Sequence, residues 1–255
     1  MSTIYDKLDN IEVLSNYRIH EGNIGCFNTN IIFAANKIND IYFTYSSARA
    51  NLHFLSNEDF GDFAKDDISI LYNRVLLVNS ALFYYNILID LSWQLVWLFY
   101  SYESIGKMPT TKLYEKLSKD CTKDKLEFLL TLARENKIRD FYIRDFFENP
   151  LTKKIREKYN YMKHRGTYYY RGLGRNYEKS SGIINNYNIP LIHKEEIDID
   201  ALKQELLDLD ILYGKYLFAL IDILIPKSFL KTNDCIYSTI NYYFKYEKDL
   251  KLLNN

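Results

Sequence analysis

From about Asn28 to Phe54 the apolar residues Ile31, Ala35, Ile38, Tyr42, Tyr45, Ala48 and Leu52 recur at steps of three and four. That spacing keeps side chains on one face of an α-helix, and it predicts a long helix here. Residues 56–67, SNEDFGDFAKDD, carry five carboxylates and one Lys, so they read as a loop, with Asp66 and Asp67 placed to cap the next helix. That second long helix is expected from about Ile68 to Glu103, ended by Gly106 and Pro109. Thr110 and Thr111 open a further helical stretch, with a break expected near Asp120 to Thr122. A helix over about 138–148 comes after it. Asn149-Pro150 marks a boundary, because proline disfavours helix in the residue before it and suits the first helical position itself. The next helix is expected to run to about His164. Residues 166–190, rich in Gly, Tyr and Asn, read as a long ordered loop with a short hairpin. Strand character competes around Tyr168 to Tyr170 and Ile183 to Ile192. The acidic run 195–200 suits the positive end of a helix dipole, and a third long helix extends from it to Pro226. A last helix is expected over about Cys235 to Leu252. The pattern as a whole predicts an all-α helical bundle built on three long helices plus shorter ones and one long ordered loop.

The apolar run 75–100 is long enough to cross a bilayer. Asn79, Asn86, Asp90 and Gln94 interrupt it at spacings that place all four on one helix face. An Asp near mid-bilayer costs about 2.5–3.5 kcal/mol. A soluble helix buried on most sides with one polar stripe is therefore the expectation, with a membrane anchor as the rival and no membrane partner expected. Asp90 and Asn86 on this stripe are second-tier site candidates.

Composition narrows the classes. Of 255 residues, 47% are hydrophobic, too many for a disordered chain, and 9 Gly with 4 Pro are too few for a turn-rich β fold to come first. Three scattered Cys suit a reducing compartment better than a disulfide framework, so a cytoplasmic location is expected. The four His do not cluster with Cys at ligand spacing, so neither a metal nor another cofactor is expected. Met1–Asn10 hold Asp6, Asp9 and no apolar run, which does not read as a secretory signal.

The 33 basic and 33 acidic residues cancel, which argues against a uniformly basic nucleic-acid binder. The charge is nevertheless segregated. Residues 152–179 hold nine cations and two anions, net +7, interleaved with six Tyr. Cations for phosphates and rings for bases suit single-stranded nucleic acid. The rival reading is a solvated helix face that pairs with the acidic run 195–210. Within the segment, YNYMKHRG (159–166) puts His164 at a helix end beside Lys163 and Arg165. A histidine there can take a proton from a ribose 2′-hydroxyl while neighbouring cations stabilise the phosphate. The RGLGR run at 171–175 lacks the Gly-Lys-Ser/Thr of a phosphate loop, and no serine-hydrolase elbow or zincin motif occurs.

Asn160, three residues and His164 on a late helix of a helical bundle resemble the HEPN superfamily. The KHRG ending is similar to a bacterial branch best known from clostridial proteins. The resemblance covers about 68–225, with 1–67 as an N-terminal helical extension and 226–255 as a C-terminal helix. It implies a homodimer and metal-independent RNA cleavage in a toxin–antitoxin or phage-defence setting. The partners it implies are RNA, a nucleotide, or an antitoxin or other protein. It also implies His164, Asn160 and Arg165 as catalytic candidates. Lys158, Lys163, Arg156, Arg171 and Arg175 become phosphate-binding candidates. The family motif is Arg, a polar residue, then His, with four to six residues between Arg and His. Here Tyr159 precedes Asn160, seven residues separate Arg156 from His164, and Lys158 stands at permitted spacing without an arginine's fork. The alternative is a non-enzymatic, dimeric helical interaction protein; the family also has nuclease-inactive members that bind nucleotides, RNA or proteins.

Overall fold

The computed structural model describes residues 11–57, 59–174, 181–185, 187–190, 194–231 and 236–253. The fold is all-α, with one short antiparallel hairpin. After a 3-10 turn at Glu12–Tyr17 come α1 (Glu21–Cys26), α2 (Thr29–Phe54), α3 (Asp67–Tyr100), α4 (Thr111–Asp120) and α5 (Lys123–Leu132). A π-helical segment, Ile138–Arg144, leads into the short α6 (Asp145–Phe147), then α7 (Pro150–Arg165). Strands β1 (Ser181–Ile184) and β2 (Tyr187–Pro190) come next, then α8 (Ile199–Leu224) and α9 (Ile236–Leu253).

Local chemistry explains the boundaries. The Asp66 carboxylate accepts from the Ser69 N–H at 2.9 Å and from its hydroxyl at 2.7 Å, which starts α3. Those bonds hold its carboxyl below the usual carboxylate range. Thr110 and Thr122 cap α4 and α5 by accepting from Leu113 and Lys125, and Cys121 between them is extended, which makes the expected break. Gly166, at φ 97°, stops α7 in a conformation that L side chains rarely adopt. The helix expected over 138–148 is instead mostly π-helical. The 3-10 turn and α1 near the N-terminus lie outside the helices that the apolar spacing predicts.

The chain packs as two compact units, and α2, α3 and α8 each contribute one part to either unit. The larger comprises residues 1–46, 87–149 and 211–255. Its core is aromatic: Phe146 stacks on Tyr216 at 4.1 Å, Trp93 meets Phe147 edge-on at 4.4 Å, and Tyr45 meets Tyr213 at 5.2 Å. Ring geometry of this kind adds to area burial. Trp97 donates to the Leu117 carbonyl at 2.9 Å, tying α3 to α4.

In the same unit α1 lies against α9 without a side chain between them at Gly25. A β-carbon there would stand 2.0 Å from the Ser238 carbonyl oxygen, a backbone atom that cannot rotate away. Tyr246 and Thr29, 3.0 Å apart, and Lys245 on the Phe27 carbonyl at 2.8 Å hold α9 further along. Gly25→Ala is expected to displace α9 and cost about 1–3 kcal/mol. Thermal unfolding with hydrogen exchange over 236–253 checks this, and unchanged protection there would refute it.

The second unit comprises residues 47–86 and 150–210 and holds α7. Leu52, Val78, Leu82, Ile155, Leu202 and Leu206 are buried in it. So is an ion pair: Arg49 grips Asp210 through two hydrogen bonds of 2.9 and 2.7 Å, and Tyr85 donates to the same carboxylate at 2.6 Å.

Helix α3 is long and apolar enough to cross a bilayer, and half of its most apolar window is buried within the protein. The expected polar stripe is not one environment. In one unit Asn79 accepts from the Tyr170 hydroxyl and Asn86 is buried; in the other Asp90 is exposed. The four residues share a helix face, but what packs on that face changes along 34 residues of helix.

Candidate functional site

Residues 154, 157, 158, 161, 164 and 165 recur at steps of three and one along α7, so their side chains share one face. With Asn160, Tyr168 and Glu195 they line a groove of ≈ 570 Å³, all within the second unit. The chain turns back after Gly166 and lies beside the segment leading into α8. There Tyr169 donates its N–H to the Glu195 carbonyl at 2.9 Å and accepts from the Ile197 N–H at 3.1 Å. This brings Tyr168 onto Tyr161, rings stacked at 4.4 Å and 14°. The Tyr168 hydroxyl donates to the Lys158 carbonyl at 3.3 Å, and the Glu195 N–H donates to the Tyr161 hydroxyl at 3.2 Å. Burial, then the Glu195 charge, pushes the Tyr168 phenol well above its ordinary value. Burial likewise pushes Tyr170 up to about 12, so it stays protonated and donates to Asn79. The wall of the groove is therefore a stacked pair of tyrosines with both hydroxyls hydrogen-bonded.

His164 is exposed at the C-terminal end of α7. Arg165 lies over the Tyr161 ring, 5.7 Å from its centre, a cation–π contact that leaves the guanidinium edges open to an anion. Among the described residues neither side chain has a carboxylate partner. Asn160 is exposed on the same groove. The three catalytic candidates thus come together, which α-helical spacing dictates once α7 forms.

The phosphate-binding candidates separate. Lys158 lines the groove but is paired with Glu205 of α8 at 2.8 Å, as is Lys154, also at 2.8 Å. Burial pushes the Glu205 carboxyl up, but the bonds from Lys154 and Lys158 outweigh it and leave it below the usual range. Lys163 is exposed and does not line the groove, and Arg156 is half-buried and also outside it. Arg171 pairs with Glu196 at 3.0 Å and lines a second groove of ≈ 520 Å³ with Arg74, itself bonded to Asp200. Arg175 lies outside the described residues. Of the second-tier candidates, Asn86 is 2% exposed and donates back to the Leu82 carbonyl, whereas Asp90 is in the other unit. Neither lines the groove.

The site candidates drawn from the sequence are basic, aromatic and polar residues; Glu157 and Glu195 also line the groove, and Glu205 meets two of its lysines. The expectation that 195–210 pairs with the basic segment is met at Glu196 and Glu205. No group of three His, Cys, Asp or Glu placed to hold a metal ion occurs among the described residues. Protein-family models, curated proteins and solved structures were all compared with the chain, and none matches it. What defines the molecule is thus its own geometry: an all-α fold presenting an exposed histidine and arginine beside a tyrosine stack.

Proposed function

We propose that the α7 groove binds single-stranded RNA in a HEPN-like protein, with His164 as the base of a metal-independent cleavage. The observation that carries this reading is that His164, Asn160 and Arg165 line one open groove with the Tyr161–Tyr168 stack. Arg165 meets the phosphate and Asn160 orients the ribose. His164 removes the 2′-hydroxyl proton, and the 2′-oxygen attacks phosphorus. The bond to the 5′-oxygen then breaks, leaving a 2′,3′-cyclic phosphate and a 5′-hydroxyl that takes up a proton. Arg165 supplies the phosphate-binding guanidinium, in place of the arginine that the family motif sets before the polar residue.

Binding of a labelled RNA oligonucleotide in chelator, titrated from 50 to 200 mM salt, tests it. One groove cation engaged, Arg165, gives a slope of about −0.7 and a roughly 2.6-fold loss across that range; Arg165→Ala is expected to remove most of the slope. Absent or salt-insensitive binding rejects the reading. One observation favours the rival, a dimeric interaction protein: α3 exposes Ile68, Tyr72, Leu76 and Phe83 at steps of four, four and seven. Self-association without RNA binding decides for it.

A further inference from the structure

Glu205 brings a carboxylate to the two lysines of the groove, with one ammonium within ion-pair distance of each oxygen, although Lys158 is out of hydrogen-bond alignment with the buried Oε2. Lys154 Nζ stands 2.8 Å from Oε1 and Lys158 Nζ 2.8 Å from Oε2. The arrangement is the one a phosphate would seek: two ammonium groups converging on one anion from successive turns of α7. The side chains of Glu205 and Lys158 are 18% and 17% exposed, so the pair is shielded from salt more than surface pairs are, while Lys154 is 57% exposed. A strand laid along α7 past His164 and Arg165 reaches Lys158 and Lys154 about two and three turns earlier on the same face. It finds them neutralised.

We propose that Glu205 is an internal competitor for the groove's ligand. It occupies Lys154 and Lys158 and so withholds them from a phosphate, which lowers the affinity and the salt dependence of the site. The inference rests on the reading of the groove as an RNA site. Its physical basis is that lysine is a flexible point charge, able to exchange one oxygen partner for another without losing a fixed fork geometry. A carboxylate and a phosphate are interchangeable partners for such a group, and the second carries more charge.

The test is the salt dependence of single-stranded RNA binding by wild-type protein and Glu205→Gln. Two further cations made available steepen the slope by about 1.4, which at 0.1 M salt is roughly 25-fold tighter binding. Adding Lys154→Gln and Lys158→Gln to Glu205→Gln is expected to abolish the gain. Equal or weaker binding by Glu205→Gln with an unchanged slope overturns the inference while leaving the functional reading intact. No binding by either protein at any salt overturns both. A gain in Glu205→Gln, with RNA affinity unchanged by Arg165→Ala alone, supports the competitor and removes Arg165 from the functional reading. Should circular dichroism show Glu205→Gln unfolded, Glu205→Asp, one methylene too short to hold both lysines, replaces it, with a smaller gain expected and no gain overturning the inference.

Discussion

Asp210→Ala is expected to destabilise the unit that holds α7 by about 3–5 kcal/mol, more than a hundredfold in its unfolding constant. Asp210 is fully buried and Arg49 is 6% exposed, so water cannot replace the lost carboxylate. The guanidinium is left charged in a low-dielectric interior with two donors unmatched, and the Tyr85 hydroxyl loses its acceptor. The cost comes from stranding these groups and does not measure what the intact pair contributes. Two further variants separate these quantities. Arg49→Met with Asp210→Leu removes both charges and is expected to cost far less, because a buried pair exchanged for packed apolar groups is often neutral. Tyr85→Phe removes one hydrogen bond to a charged group, about 1.5–3 kcal/mol. Denaturant unfolding of the three variants gives the order. If Asp210→Ala proves no worse than the double apolar variant, the pair is not the buried contact described.

This pair also fixes the register of the site. It joins α2, α3 and α8 at one point, and Glu205 lies five residues earlier on α8, roughly 7.5 Å along its axis. Where Asp210 is anchored, Glu205 is delivered to Lys154 and Lys158. The buried pair is thereby linked, along one helix, to the carboxylate that neutralises two of the groove's lysines.

Most helices were legible because they depend on near neighbours. Steps of three and four from Ile31 to Leu52 mark α2, and Pro150 and Gly166 bound α7. Thr110 and Thr122 announce their caps within three residues. The π-helical turn at 138–144 was not legible, since its sequence reads as an ordinary amphipathic helix. The buried Arg49–Asp210 pair was invisible for another reason. Its partners are 161 residues apart and each looks like a solvated charge on its own helix. The groove shows the same division. His164, Asn160 and Arg165 share a face by helical arithmetic, so the sequence brought them together. Glu195 reaches the groove, and Glu205 reaches two of its lysines, through tertiary packing, and nothing in a one-dimensional pattern says which acidic residue meets which lysine. The net +7 of residues 152–179 therefore overstated the field at the site, because Lys154, Lys158 and Arg171 are each partnered.

The variant that bears most directly on chemistry is His164→Ala. It is expected to slow RNA cleavage by about 10²–10⁴-fold, the usual contribution of a positioned proton acceptor. Its effect on RNA affinity is expected to be small, because the phosphate is held by Arg165 and the groove wall is the Tyr161–Tyr168 stack. That split between rate and binding separates a proton acceptor from a contact residue. Arg165→Ala is expected to weaken both, since its guanidinium meets the phosphate in the ground state and more strongly as charge develops. Asn160→Ala, which removes an orienting group and leaves the base, should fall between them. The assay uses an RNA oligonucleotide in chelator, with the 2′,3′-cyclic phosphate product identified by mass. Cleavage that persists undiminished in His164→Ala removes His164 from the mechanism. Binding lost in parallel with cleavage would make the histidine a ligand contact and leave the base to be found elsewhere.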